Sequence, residues 1–170
     1  MTIPAAIEAP RIRVGTASWT DKTLIACGRF YPPRAKSAEA RLRHYAAHFP
    51  IVEVDSSYYA MPTPATAQLW AERTPPEFTM NVKAFRLFTG HPTAPLVLHR
   101  DLQETFGAQL PPRFFYADTP PALVEALWVR FREALLPLQA SGRLGLVHFQ
   151  FPPWLVADPA ARAHVEHCAE

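Results

Sequence analysis

The feature that most restricts the fold of this chain is a repeated alternation of short strand-like and helical segments, divided into units by prolines. Arg11 to Trp19 (RIRVGTASW) has strand character and ends in small and hydroxyl residues. Ser37 offers a side-chain oxygen to a helix start. Ala38, Leu42, Tyr45, Ala46 and Phe49 then share one helical face, and Pro50 ends the helix. Ile51 to Tyr59 (IVEVDSSYY) reads as a second strand, rich in β-branched and aromatic residues. A helix capped at Thr63, with Pro64 in its first turn, follows to about Arg73. Phe78 to Phe85 (FTMNVKAF) reads as a third strand. The long irregular stretch 86–118 carries a short helical segment near Leu96 to Phe106. Thr119-Pro120-Pro121 opens a strong helix with Leu123, Leu127, Phe131, Leu135 and Leu138 along one side. Leu144 to Phe151 (LGLVHFQF) reads as a fourth strand, and Asp158-Pro159 caps a last helix.

The 19 prolines among 170 residues would suggest disorder if they were spread evenly. They fall instead at positions such as 32–33, 75–76, 111–112, 120–121 and 152–153, between the periodic segments, where a missing N–H costs nothing. Successive strand–helix units imply parallel strands, because each return needs a crossover. An open doubly wound sheet and a closed barrel both satisfy that. The first strand-to-helix loop lacks G-x-G-x-x-G and is too long, over 20–36, for the tight dinucleotide turn. A barrel places eight units in roughly 250 residues. The expected class is therefore α/β, the first half (about four βα units) of a (β/α) TIM-type barrel. Residues 1–10 are expected to be a disordered lead and 11–170 the N-terminal part of a single barrel domain, with a missing C-terminal half.

A composition of 49% hydrophobic and 19% charged residues is that of a globular protein. No apolar run reaches the roughly 18 residues of a membrane helix, and the first residues lack a basic start followed by an apolar stretch. A cytoplasmic protein without a membrane partner is expected. The net charge of +2 is small and the arginines are scattered, which disfavours nucleic acid as a partner. Cys27 and Cys168 are far apart and form no metal-binding spacing.

Strands covered on both faces usually read as continuous apolar runs, and these do not. Strict alternation turns Val52 and Val54 toward the helices and Glu53, Asp55 and Ser57 toward the interior. It likewise separates Met80 and Val82 from Asn81 and Lys83. In the fourth strand it separates Val147, Phe149 and Phe151 from His148 and Gln150. Unpaired charges buried there would be costly, so these groups must pair, bind a ligand or face a wet mouth. Barrel enzymes work at the carboxyl ends of their strands. Glu53, Lys83 and His148 are the candidate catalytic residues. Ser18, Trp19, Asp55, Ser57, Tyr59, His91 and Gln150 are the candidate substrate contacts. Against this stands a structural Glu53–Lys83 ion pair, a hydrogen-bonded core histidine at 148, and ordinary packing by Trp19, Tyr58, Tyr59 and Trp154.

The pieces VGTASW (14–19), FYPP (30–33), HYAAHF (44–49), VEVDSSYY (52–59), NVKA (81–84) and FQFPP (149–153) occur in this order. Together they resemble the YecE-like proteins, a domain family of unknown function. The resemblance covers nearly the whole chain from Arg11. It implies a TIM barrel related to sugar isomerases, in a chain longer than this one, with Ser18, Glu53, Ser57, Tyr59, Lys83 and Gln150 as polar site positions. The sequence departs from that pattern at Asp55, where asparagine is common, and at Ala60, where arginine is frequent.

Three functions remain open at this level. The leading one is an enzyme performing acid–base chemistry on a small polar ligand, a sugar or sugar phosphate. Glu53 would be the base or a metal ligand, Lys83 would stabilise developing negative charge, and His148 would be a second proton-transfer group. A divalent metal is one option, since carboxylate, imidazole and amide oxygen suit it. The alternatives are a metal-dependent phosphodiesterase or endonuclease, and a non-catalytic binding or accessory protein.

Overall fold

The computed structural model describes residues 12–170, so the expected disordered lead and Arg11 lie outside the described residues. Three parallel strands, β1 (Ile51–Val54), β2 (Thr79–Lys83) and β3 (Leu144–His148), lie side by side in sequence order. The helices are α1 (Lys22–Ala26), α2 (Ala38–Ala46), α3 (Ser56–Tyr59), α4 (Pro64–Glu72), α5 (Arg100–Phe106), α6 (Pro121–Ala140) and α7 (Pro159–Ala169). The caps expected at Ser37, Thr63 and Asp158 form, each accepting a backbone N–H of the first turn. α1 lies where a plain loop was expected, and Asp21 caps it.

One face of the sheet is the core. Val52, Val54, Met80 and Val82 are each no more than 1% exposed and share a cluster with Trp70 of α4 and Leu123 and Leu127 of α6. Burial of such side chains contributes about 1.5–3 kcal/mol each. Phe85, Leu87 and Phe88 extend the core past the end of β2, where Phe88 stacks on Trp128 of α6 with ring centroids 3.8 Å apart. The Arg130 guanidinium clamps Asp101 of α5 and holds that carboxyl down at about 2.

Three expectations require correction. The first strand, expected over 11–19, is reduced among the described residues to a parallel bridge of Ala17 with Glu53. Glu53 donates to the Thr16 carbonyl at 3.1 Å and its own carbonyl accepts from the Ser18 N–H at 2.8 Å. The next ladder bond would join the Thr16 N–H to the Ile51 carbonyl, but the Tyr45 hydroxyl stands between them. It accepts from Thr16 at 2.7 Å and donates to Ile51 at 3.1 Å. A side chain thus replaces the backbone pair and the strand stops.

The second strand ends at Val54 rather than Tyr59, because the chain turns into α3. The Ser57 hydroxyl reaches the carbonyls of Val54 and Lys83, both at 2.7 Å, and ties the ends of β1 and β2 together. The fourth strand ends at His148 rather than Phe151 and contains a bulge. Met80 pairs with Leu144 but Val82 pairs with Val147, so β3 carries one extra residue. The Leu146 N–H turns to the Asn81 side-chain oxygen at 3.1 Å. A Cβ on Gly145 would collide with that oxygen and lie 2.6 Å from Thr79 Cγ2.

Beside β3, an open groove of about 1120 Å³ is lined by Val124, Trp128, Val147, Phe149 and Cys168. Cys27 and Cys168 are both free thiols. Among the described residues no helix is long and apolar enough to cross a membrane.

Candidate active site

The opposite face of the sheet carries the polar side chains, and they meet at its carboxyl end. Lys83 is the last residue of β2 and pairs in register with His148, the last of β3. Glu53 sits one pleat lower, opposite Asn81. The Lys83 ammonium lies 2.7 Å from Asp55 Oδ1 and 3.5 Å from Glu53 Oε1. The other Glu53 oxygen lies 2.9 Å from His148 Nδ1. The four side chains form one continuous chain across three strands, Asp55–Lys83–Glu53–His148. Side-chain exposure rises along it from 14% at Lys83 through 27% at Glu53 to 42% at His148, so its imidazole end faces solvent.

Burial alone would lower the pKa of the Lys83 ammonium. The hydrogen bond and charge of Asp55, joined by the Glu53 carboxylate, outweigh it and hold the pKa above the usual lysine value. An ionised carboxylate can only accept, so the contact places a proton on Nδ1, and in the neutral imidazole the lone pair is then on Nε2. Among the described residues no three histidine, cysteine, aspartate or glutamate side chains gather as metal ligands. Lys83 occupies the space between the two carboxylates where a cation would sit.

The remaining candidates divide. Ser18 adjoins Glu53 through its N–H, sits at φ 73°, and its hydroxyl accepts from the Thr20 N–H at 3.0 Å. Trp19 is 7% exposed and packs edge-on against Trp70 in the core, which removes it from the strand-end surface. Ser57, 1% exposed, is engaged by backbone carbonyls. Gln150 is exposed two residues beyond β3. Tyr59 is 54% exposed and meets Tyr58 edge-on. The aromatic ring beside Lys83 belongs to Tyr58, with Nζ 5.7 Å from its centroid. His91 packs between Tyr58 at 5.4 Å and Trp154 at 5.6 Å, and accepts from or donates to Thr89 Oγ1 at 3.0 Å. Burial, reinforced by the Arg86 charge, pushes the His91 pKa down. The sequence singled out Tyr59 over Tyr58 because a continued strand would have turned Tyr59 inward; the helical turn of α3 reverses the choice.

Comparison with known proteins places this geometry in a family. The chain is 30% identical over 157 residues to the UPF0759 protein YunF of Bacillus subtilis, covering 92% of this chain and 45% of that protein. A solved DUF72 family protein of Enterococcus faecalis has a TM-score of 0.59 at 19% identity, over 92% of this chain and 45% of that one. A second, from Thermotoga maritima, has a TM-score of 0.58 at 21% identity, over 92% and 50% respectively. The chain thus spans about half the length of these relatives. The model of the family described as "Protein of unknown function DUF72" matches residues 13–170, and the chain belongs to that family.

Proposed function

We propose that the chain is the first half of a (β/α) barrel whose strand ends perform acid–base chemistry on a small polar molecule of the sugar or sugar-phosphate type. The barrel reading is supported by parallel strands in sequence order, by the bridge that adds residues 16–18 to the sheet, and by the groove beside β3. The spacing of the YecE-like pieces and the half-length coverage of relatives agree with it. The sugar-isomerase relation rests on that resemblance and on the location of the cluster at the carboxyl ends.

One observation carries the chemistry: a carboxylate, Glu53, holds the imidazole of His148 at 2.9 Å through Nδ1. A base oriented by a carboxylate acceptor is a recurring arrangement for proton transfer. In this reading His148 takes the proton and Glu53 stabilises the imidazolium that results. Lys83 has three N–H donors, of which two serve Asp55 and Glu53; the third polarises a substrate oxygen. Trp154, 59% exposed beside His91, provides an apolar face for a sugar ring. A metal-dependent hydrolase fits less well, because Lys83 already bridges the carboxylates.

The test is exchange of substrate C–H protons with deuterated solvent, followed by NMR over a panel of aldoses, ketoses and their phosphates. Exchange should occur with at least one member and fall by about 10²–10⁴-fold in His148→Gln. Absence of exchange across the panel, or undiminished exchange in the variant, contradicts the reading and leaves the non-catalytic binding role.

A further inference from the structure

We propose that a second pocket, bounded by Arg86, Thr93 and Arg113, binds the oxyanionic group of a small molecule. The pocket encloses about 370 Å³, and Pro92, Ala94, Val97 and Pro112 complete its walls. Its two charged residues are both arginines, and no carboxylate lines it among the described residues. Neither arginine takes part in the ion pairs of the described residues.

The decisive group is Thr93. It is 3% exposed, and its main chain is satisfied by reciprocal bonds with Phe114 at 2.8 and 2.9 Å. Its hydroxyl has no hydrogen-bond partner, and neither has the buried Nε of Arg86. Native interiors seldom leave such groups unpaired. Thr93, Arg86 and Arg113 line the same space, so both unpaired donors belong to residues at its wall. Guanidinium offers only donors, so the complementary ligand must accept several hydrogen bonds and carry negative charge.

Both guanidiniums are held in place by rings. Arg86 lies 5.4 Å from the Tyr58 centroid and Arg113 lies 5.7 Å from that of Phe115. Because Tyr58 also flanks Lys83, the pocket lies one aromatic ring from the strand-end cluster. The volume is at the lower end of small-molecule sites, larger than a bare ion needs. The ligand class is a small phosphorylated or carboxylated molecule. None of the proton-transfer residues is involved, so the pocket stands whether or not His148 acts as a base.

The experiment measures thermal unfolding and calorimetric binding of the chain with inorganic phosphate, acetate and chloride at matched ionic strength. Phosphate or acetate should raise the melting temperature saturably, and chloride should not; the more effective of the two identifies a phosphoryl or a carboxylate ligand. Thr93→Val removes the unpaired hydroxyl. Without anion it should melt at the same temperature or higher, while anion affinity falls about tenfold. Arg86→Gln should lose at least as much. Equal responses to chloride and the oxyanions, no saturable response at all, or unchanged affinity in both variants would overturn the proposal. The melt of Thr93→Val reports folding separately, so lost binding is not confused with a lost fold.

Discussion

Glu53 and His148 come from strands that do not touch each other, yet their side chains meet at 2.9 Å over the end of the strand between them. At the end of β2, Lys83 lies 3.5 Å from the other oxygen of the same Glu53 carboxylate. The contact between Glu53 and His148 depends on the bulge in β3, which resets the pleat so that both Leu144 and Val147 face the core and His148 faces Glu53.

Gly145→Ala tests the bulge. The added methyl would press on Asn81 Oδ1 and Thr79, where there is no room. The expected loss is about 1–3 kcal/mol, measured as the urea midpoint, together with a displaced His148 resonance. Wild-type stability would mean that the bulge is not held by Asn81.

Tyr45→Phe tests the edge of the sheet. Tyr45 is fully buried, and removing its hydroxyl leaves the Thr16 N–H and the Ile51 carbonyl without their shared partner. A cost of about 1–3 kcal/mol is expected. Hydrogen exchange should show protection lost first at Thr16 and Ser18. Uniform loss across all strands would place the role of Tyr45 elsewhere.

The alternation of polar and apolar residues was enough to bring Glu53, Lys83 and His148 to one face, because side chains in a strand have only two faces to choose between. Other features depend on contacts between distant parts of the chain. Nothing near Thr16 signals that Tyr45 will interrupt its ladder. The end of β1 did carry a local signal: Asp55-Ser56-Ser57 are residues whose side chains compete for backbone groups and favour a turn. The β-propensity of Tyr58 and Tyr59 masked it. Trp19 belongs to the core through Trp70, a residue on the helix of the next strand–helix unit, and no spacing rule connects them.

The pH dependence of stability follows from Lys83. Its pKa is raised in the folded state, so its contribution is complete below the unfolded lysine value, near 10.4, and is lost as pH rises through the folded value. Urea midpoints should therefore fall more steeply above about pH 10.4 in the wild type than in Lys83→Met. The variant should itself be less stable at pH 8, because Glu53 and Asp55 then face each other without the cation. Parallel pH profiles would show that the ion pairs contribute nothing.

Glu53 accepts from His148 Nδ1, which in the neutral imidazole puts the lone pair on Nε2. Long-range nitrogen–proton NMR of the histidine side chains reads that tautomer directly. In its neutral form His148 should give the pattern of an Nδ1–H imidazole, and Glu53→Ala should collapse it toward the mixed pattern of a free ring. An Nε2–H pattern in the wild type, or one indifferent to Glu53→Ala, would show that Glu53 does not orient the ring.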